Sequence, residues 1–278
     1  MKTYSSSWFE ALQHPSCLGK IGPDPLTSDF PVLPWLTQRV HPAIAAMIEQ
    51  CGIERELPTG ENLFQPGTKI ASLVLIESGV TARCLGNPHA QAKQAIALAT
   101  PGHFAAGNLN FFSHRHAIGR YYTLTPAKLI YCPRKLLGAL LDKDTKLFKQ
   151  VVVQFELSSL SDRLGFACIS LLGAEDRLKV LFLVWGINFG TLIESRGATY
   201  IRMPSPLTRQ VRASVISSSV YWIDHTLKKW KAAGIWKRDG EWEYCRLSFL
   251  KDIYDWLRRA GESSSDYAYP EDLKSLFI

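Results

Sequence analysis

Between Leu207 and Trp236 the chain reads LTRQVRASVISSSVYWIDHTLKKWKAAGIW, and few folds accommodate that order of caps, apolar spacings and stops. Thr208 offers a side-chain oxygen to cap a helix beginning at Arg209, with Leu207 packing back against it. Ser217, Ser218 and Ser219 interrupt the apolar pair Val215 and Ile216, because serine competes for its own backbone and favours turns and N-caps. A second helix then starts, with Val220, Ile223, Leu227 and Trp230 forming one buried stripe. Tyr221, Trp222, His225, Lys228 and Lys229 fall on its other side. Gly234 stops that helix, and Ile235-Trp236-Lys237 leads through Arg238-Asp239-Gly240 into Glu241-Trp242-Glu243-Tyr244-Cys245-Arg246-Leu247. Asp-Gly between two aromatic-rich runs predicts a hairpin. The layout is a helix-turn-helix with a wing, a device that places one helix in the major groove of DNA.

The charge distribution agrees. Residues 201–260 hold 12 Lys and Arg against 6 Asp and Glu, although the whole chain of 278 residues has a net charge of only +7. Neutralisation of phosphates by Lys and Arg supplies most non-specific DNA affinity, so a basic segment that also carries a groove-sized helix points to nucleic acid.

A chain of this length with 46% hydrophobic residues can bury two cores, which predicts two domains. It has no apolar run long enough to span a membrane, and its start lacks the basic-then-apolar layout of a secretory signal; a cytoplasmic location is expected. Cys17, Cys51, Cys84, Cys132, Cys168 and Cys245 stand far apart without a C-x-x-C pair. That spacing suits reduced thiols better than disulfides, a zinc site or an iron-sulfur cluster. His114 and His116 flank Arg115 with no acidic ligand set, and neither a nucleophile elbow nor a phosphate-binding loop occurs. The reading is therefore a non-enzyme with no metal and no cofactor.

Residues 57–132 have a different texture. Short apolar runs at Leu63-Phe64, Leu73 to Ile76, Val80 to Leu85, Ala95 to Ala99, Tyr121 to Leu124 and Leu129 to Cys132 alternate with turn residues, as in a β barrel or sandwich. Gly60, Gly67, Gly79, Gly86, Gly102 and Gly107 punctuate them. Beyond Pro133 the period turns helical. Val153, Leu157, Leu160, Leu164, Ala167 and Leu171 follow steps of four and three, a coiled-coil seam that would serve a homodimer. Helix-turn-helix readers commonly bind two half-sites as dimers. Residues 1–40, with Trp8, Phe9, Phe30 and Trp35, suggest an arm packed on the β domain. Phe249 to Arg259 reads as a helix, and Gly261 to Ser265 as a flexible link to a short tail.

This order of β domain, long helix and winged helix-turn-helix resembles the bacterial regulators related to the cyclic AMP receptor protein and the fumarate-nitrate reduction regulator. The resemblance rests on Gly60-Glu61-Asn62-Leu63-Phe64-Gln65-Pro66-Gly67, Leu73-Val74-Leu75-Ile76-Glu77-Ser78-Gly79-Val80 and Pro101-Gly102-His103-Phe104. It continues in Leu171-Leu172-Gly173-Ala174-Glu175-Asp176-Arg177-Leu178 and Leu207-Thr208-Arg209-Gln210, and covers about 45–258. It implies an α+β chain: an N-terminal extension (1–44), a cyclic-nucleotide-binding-like β-roll or double-stranded β-helix as sensor (45–135), and a linking dimerisation helix (136–172). The winged helix-turn-helix (173–259) and a C-terminal tail (260–278) follow. The implied function is a sequence-specific transcription regulator acting on double-stranded DNA as a homodimer, with contact to RNA polymerase and an unidentified small-molecule effector as further expected partners.

Departures from the family narrow this. Nucleotide-binding members hold the ribose with Gly-Glu after Pro-Gly-x-Phe and the phosphate with a later Arg-Ser; the matching places here are Gly107-Asn108 and Ala117-Ile118, with Arg115 and Arg120 nearby. A buried phosphate without a guanidinium is an uncompensated charge, so cyclic AMP is not expected to bind. Three alternatives stay open for the β domain: a small apolar ligand, redox state through Cys84 or Cys132, or no signal at all. Members that read guanine carry Arg at Val220, Glu at Tyr221 and Arg at His225, so a different DNA site is expected. Ser217 replaces the turn glycine. Arg212 stands where the family keeps an apolar residue, so either its guanidinium escapes the small core or the first helix is rotated.

The DNA-facing set is therefore Arg209 and Gln210 for backbone positioning, Ser219 as cap and phosphate contact, and Tyr221, Trp222, His225 and Lys228 toward the groove. Lys229 and Arg238, together with Arg212, are available for phosphates. The competing reading is a protein-interaction regulator whose helix-turn-helix has decayed and which binds a partner protein.

Overall fold

The computed structural model describes residues 32–37, 39–86, 93–106, 116–117, 119–195, 197–205 and 207–260. They form two compact units, one of Val32–Arg163 and one beginning at Leu164. The expectations for Cys17, for Trp8, Phe9 and Phe30, for Gly107-Asn108, His114, Arg115 and Ile118, and for the tail after Ala260 lie outside the described residues.

The first unit opens with helix α1 (Pro42–Cys51), whose N-cap His41 accepts from the Ala43 amide. Among the described residues eight strands follow: β1 (Ile53–Leu57), β2 (Asn62–Phe64), β3 (Ser72–Ser78), β4 (Thr81–Gly86), β5 (Lys93–Ala99), β6 (Phe104–Ala106), β7 (Arg120–Thr123) and β8 (Ala127–Pro133). They make two antiparallel four-stranded sheets, in the orders β1-β8-β3-β6 and β2-β7-β4-β5. All six predicted apolar runs lie on strands. β1 and β6 were not anticipated. Ile-Glu-Arg-Glu-Leu is an edge strand with four of its five residues exposed, so no alternation marks it, and β6 is three residues long.

Alternate side chains of β3 and β8 serve two cores. Leu73, Leu75, Ile130 and Cys132 pack with Ile44 and Ile48 of α1, whereas Val74, Ile76 and Leu129 face Ile70, Ala99 and Tyr121. Positive φ occurs at Gly60, Gly67, Gly79 and Gly102. At Gly79 it is obligatory in two ways: φ is +90°, and a Cβ would sit 2.4 Å from the Pro126 carbonyl oxygen.

The β domain also encloses a histidine. His103 is buried, with Nδ1 2.8 Å from Thr100 Oγ1, and burial holds its pKa down to about 4. The unfolded chain takes up this proton from about pH 6.5 downward, whereas the folded domain refuses it until about pH 4. Stability therefore falls as the solution is acidified through that window, by up to ~3 kcal/mol at about 1.4 kcal/mol per pH unit. Urea unfolding at pH 7 and pH 4.5 checks this: His103→Asn should be less acid-sensitive than the parent chain, and equal sensitivity would remove His103 as the cause.

Two helical elements, the short α2 (Arg134–Leu141) and the long α3 (Thr145–Leu171), lead out of the barrel. The predicted seam on α3 is only partly available. Leu157 and Leu164 are buried within the chain, along with Val151, Gln154, Ser158, Ser161 and Cys168, and Val151 joins the core that holds Ile44 and Ile48. Val153, Leu160 and Ala167 are half-buried, and the exposed apolar residues are Phe148, Val152, Phe166 and Leu171. Phe148, Val152 and Phe166 share a face rotated away from the predicted seam, whereas Leu171 is the seam residue that stays exposed.

In the second unit α4 (Ala174–Phe189) is buried nearly all round and packs on β10 and the C-terminal helix α7. The strands β9 (Thr191–Ser195), β10 (Ala198–Pro204), β11 (Trp236–Asp239) and β12 (Trp242–Arg246) form a sheet in the order β11-β12-β10-β9. The wing hairpin is the predicted one, with Asp239 opposite Trp242, but it extends a sheet begun by β9 and β10, which were not anticipated. A 3-10 turn (Leu247–Leu250) precedes α7 (Lys251–Ala260), close to the expected C-terminal helix.

Candidate nucleic-acid interface

The two helices of the motif form where the caps place them. α5 (Arg209–Val215) is capped by Thr208, whose hydroxyl accepts from the Val211 amide at 3.2 Å. α6 (Val220–Ala232) is capped by Ser219, which accepts from the Trp222 amide at 3.1 Å. Each cap satisfies an otherwise unpaired amide and is worth about 1 kcal/mol. Val215 and Ile216 are fully buried, and the turn between the helices forces Ser217 to φ +52°, the left-handed region that a glycine adopts without strain. The glycine pattern was therefore a guide to backbone shape even where glycine is absent.

Ile223, Leu227 and Trp230 are buried under α6, with Thr226 beside them, while Val220 at the first turn is only half-buried. The Trp230 ring meets Phe182 edge-on at 5.8 Å and its Nε1 donates to Glu175 Oε1 at 2.8 Å. These contacts fix which way the opposite face points. At about 100° per residue, Tyr221, His225 and Lys228 fall within about 60° of each other on the solvent side. Lys229 then lies about 80° to one side of Tyr221 and Lys231 about 80° to the other. All five are exposed, Tyr221 to 82%, and its ring lies near-parallel to His225 at 6.5 Å. Trp222 is half-buried.

The remaining candidates divide sharply. Gln210 and Ser219 are exposed. Arg209 is exposed but shares its charge with Asp224 of α6: Nε is 3.0 Å from Oδ1 and Nη1 donates to Oδ2 at 3.0 Å. Arg238 lies exposed on the wing, with Nε donating to the Gly240 carbonyl at 3.1 Å.

Arg212 corrects the sequence reading. Its guanidinium neither escapes the core nor reaches phosphates; it is buried, with Nη2 2.7 Å from Glu243 Oε2 and 3.2 Å from Ser205 Oγ, and it lies over the Phe182 ring. The partner carboxylate comes from the wing strand, 31 residues on. A buried charge needs such compensation.

Between α5, α6 and the wing lies a cleft of about 220 Å³, lined among others by Arg209, Lys228, Lys231, Trp236, Arg238 and Glu243. Lys231 and Trp236 did not figure in the expected set. Lys231 carried a legible signal, since it completes the Lys228-Lys229-Lys231 cluster, whereas Trp236 reads in sequence as an ordinary strand residue.

The β domain holds the place where an effector was expected. Residues 32–37 lie along its edge strand β5. Trp35 and Leu36 are buried, the Leu98 amide donates to the Trp35 carbonyl at 2.6 Å, and the Thr37 amide donates to the Leu98 carbonyl at 2.9 Å. Ser161 Oγ of α3 lies 2.5 and 2.8 Å from the carbonyl oxygens of Leu33 and Leu36. Of the arm expected over 1–40, the described residues 32–37 and 39–40 include this packed stretch. A cavity of about 10 Å³ is left among Thr37, Arg83, Leu98, Phe104 and Tyr121, about the room one water needs. Arg83, the buried guanidinium there, pairs with Asp162 of α3. Arg120 is held by Asn62 and the Gly60 carbonyl and lies over Tyr122.

No protein-family model matches the chain and no curated protein matches it in sequence. Solved structures do match in shape. FixK2 from Bradyrhizobium japonicum superposes with a TM-score of 0.62 at 11% identity, covering 73% of this chain and 96% of its own. The c-di-GMP-responsive global regulator CLP of Xanthomonas campestris gives 0.59 at 18%, covering 73% and 97%. TTHA1359 from Thermus thermophilus, a transcriptional regulator of the CRP/FNR family, gives 0.56 at 13%, covering 73% and 98%. This chain has the CRP/FNR fold. Its likeness to these regulators runs through both units, and the α+β architecture of β-roll, long helix and winged helix-turn-helix is the expected one. Among the described residues no helix is long and apolar enough to cross a membrane.

Proposed function

We propose that this chain is a non-enzymatic, sequence-specific DNA-binding transcription regulator. The observation that carries the reading is α6: a helix with one face sealed into the core and the other presenting Tyr221, His225 and Lys228 between two lysines. That is the arrangement a helix needs to lie in a major groove between two phosphate backbones. Arg209, Gln210, Ser219, Lys229 and Arg238 position it on the duplex, and Trp222 contacts sugar or a thymine methyl. His225 and Tyr221 read base edges.

The proposed organisation keeps 45–135 as the sensor and 173–259 as the reader, joined by 136–172 and flanked by 1–44 and 260–278. A second copy pairs through the face of α3 on which Phe148, Val152 and Phe166 are exposed, and brings a second reading helix to a second half-site. RNA polymerase is the further protein partner, and the cytoplasm the place of action.

Cyclic AMP is not the effector in this reading. Among the described residues Arg83 is committed to Asp162 and Arg120 to Asn62 and the Gly60 carbonyl, so neither guanidinium is available to compensate a cyclic phosphate.

The test is binding of the full chain to its own promoter fragments and to random duplex at physiological salt. Preference by about a thousandfold or more is expected. Equal, weak binding to both would reject sequence-specific regulation, and no salt-sensitive binding to any duplex would leave a protein-interaction role.

A further inference from the structure

The C-terminus of α1 and the end of β8 bring two thiols together. Cys51 Sγ and Cys132 Sγ lie 3.7 Å apart. The packing that places them there is tight. A Cβ on Gly52 would fall 2.3 Å from Ile130 Cγ2 and 2.6 Å from the Ile48 carbonyl oxygen, so the absent side chain is what lets the helix end lie against the strand. The chain enters β1 at once, with Ile53 opposite Tyr131 and Glu54 opposite Ile130. Register thus holds Cys51 beside Cys132. Cys132 is fully buried, while Cys51 is half-buried and reachable.

We propose that Cys51 and Cys132 form an oxidisable dithiol that takes a hydroperoxide as its substrate and closes to a disulfide within the β domain. Cys51 attacks first, as its thiolate. A bond forms between its sulfur and one peroxide oxygen, the O–O bond breaks, and the departing oxygen takes the proton that Cys51 released, leaving as water or an alcohol. Cys51 is then a sulfenic acid. Cys132 Sγ attacks Cys51 Sγ, the S–O bond breaks, and the hydroxide accepts the Cys132 proton as it leaves as water. Two thiols lose two electrons and two protons, and one hydroperoxide is reduced.

The order of attack follows from the surroundings. Cys132 is fully buried, and that burial, reinforced by the neighbouring Cys51, pushes its thiol up, so the half-buried Cys51 meets the peroxide first and Cys132 is the protected resolving partner. Closing from 3.7 Å to the ~2.05 Å of a disulfide needs about 1.7 Å of combined sulfur movement. Side-chain rotation and slight settling of the end of α1 supply it. The product would fasten α1 to β8, whatever the C-terminal unit binds.

The test uses the reduced full-length protein treated with millimolar hydrogen peroxide, quenched with iodoacetamide and read by intact mass and peptide mapping. Loss of two mass units, one peptide pair joining Cys51 to Cys132, and reversal by dithiothreitol are expected. Cys51→Ser should abolish the joined pair, and Cys17→Ser should retain it. Sulfinic acid at Cys51 with Cys132 still alkylated by iodoacetamide after denaturation, a disulfide joining Cys51 to any other cysteine, or unreacted thiols after hours would each overturn the proposal.

Discussion

Glu243→Ala should destabilise the C-terminal unit by about 3–5 kcal/mol, the usual cost of leaving one member of a buried ion pair without its partner. Glu243 is 2% exposed, and its removal leaves the Arg212 guanidinium against Phe182 with Ser205 as its remaining polar contact. Because Arg212 sits on α5 and Glu243 on β12, the pair ties the first helix of the reading motif to the wing. Loss of the pair therefore loosens the geometry that aims α6. Replacing both residues with apolar ones of similar volume, as in R212M with E243L, should restore most of the stability or exceed the parent chain. Urea unfolding of the parent and the two variants makes the comparison. A loss of under about 1 kcal/mol in Glu243→Ala would mean that water reaches the pair and that it is not the core feature described above.

Removing Lys228, Lys229 and Lys231 together should weaken attachment to every duplex, specific or random, and flatten its salt dependence. Each phosphate contact contributes about 0.9 to the slope of log K against log salt, so the triple alanine variant should lose up to about 2.7. An affinity loss on the order of a hundredfold or more at moderate salt accompanies it. Lys228 alone should show a slope change near ~1. His225→Ala should behave otherwise, keeping the slope and altering which bases are preferred. The three lysines span both sides of the Tyr221–His225–Lys228 face, so their loss is felt from both backbones. A triple variant with an unchanged slope would show that α6 does not lie between phosphates, even if the protein binds DNA by another surface.

How far each feature could be read depends on how far apart in the chain its causes lie. Thr208, Ser219, Gly234 and the Asp239-Gly240 turn act on residues within a few positions, so both helices and the wing could be marked from residue types alone. The apolar runs of six β strands were equally local. β1 was hidden because its charged edge carries no alternation, and β9 and β10 because nothing nearby signals that a two-stranded wing continues into a four-stranded sheet. On α3 the period of four and three was real, but the sequence could not say which of two neighbouring stripes the chain would cover itself. Leu157 and Leu164 went inward.

By itself, then, the chain determined its elements, their order, the basic character of the C-terminal third and the solvent face of α6, since caps, turn chemistry and periodicity are short-range properties. Tertiary structure decided what each buried charge meets and what fills each cavity. Arg212 looked like a phosphate ligand until folding brought Glu243 against it, and only folding laid the stretch around Trp35 and Leu36 along β5, where both are buried. The physical reason is the same in both cases: burial imposes a demand for compensation or for volume, and the residues that meet it come from distant parts of the chain.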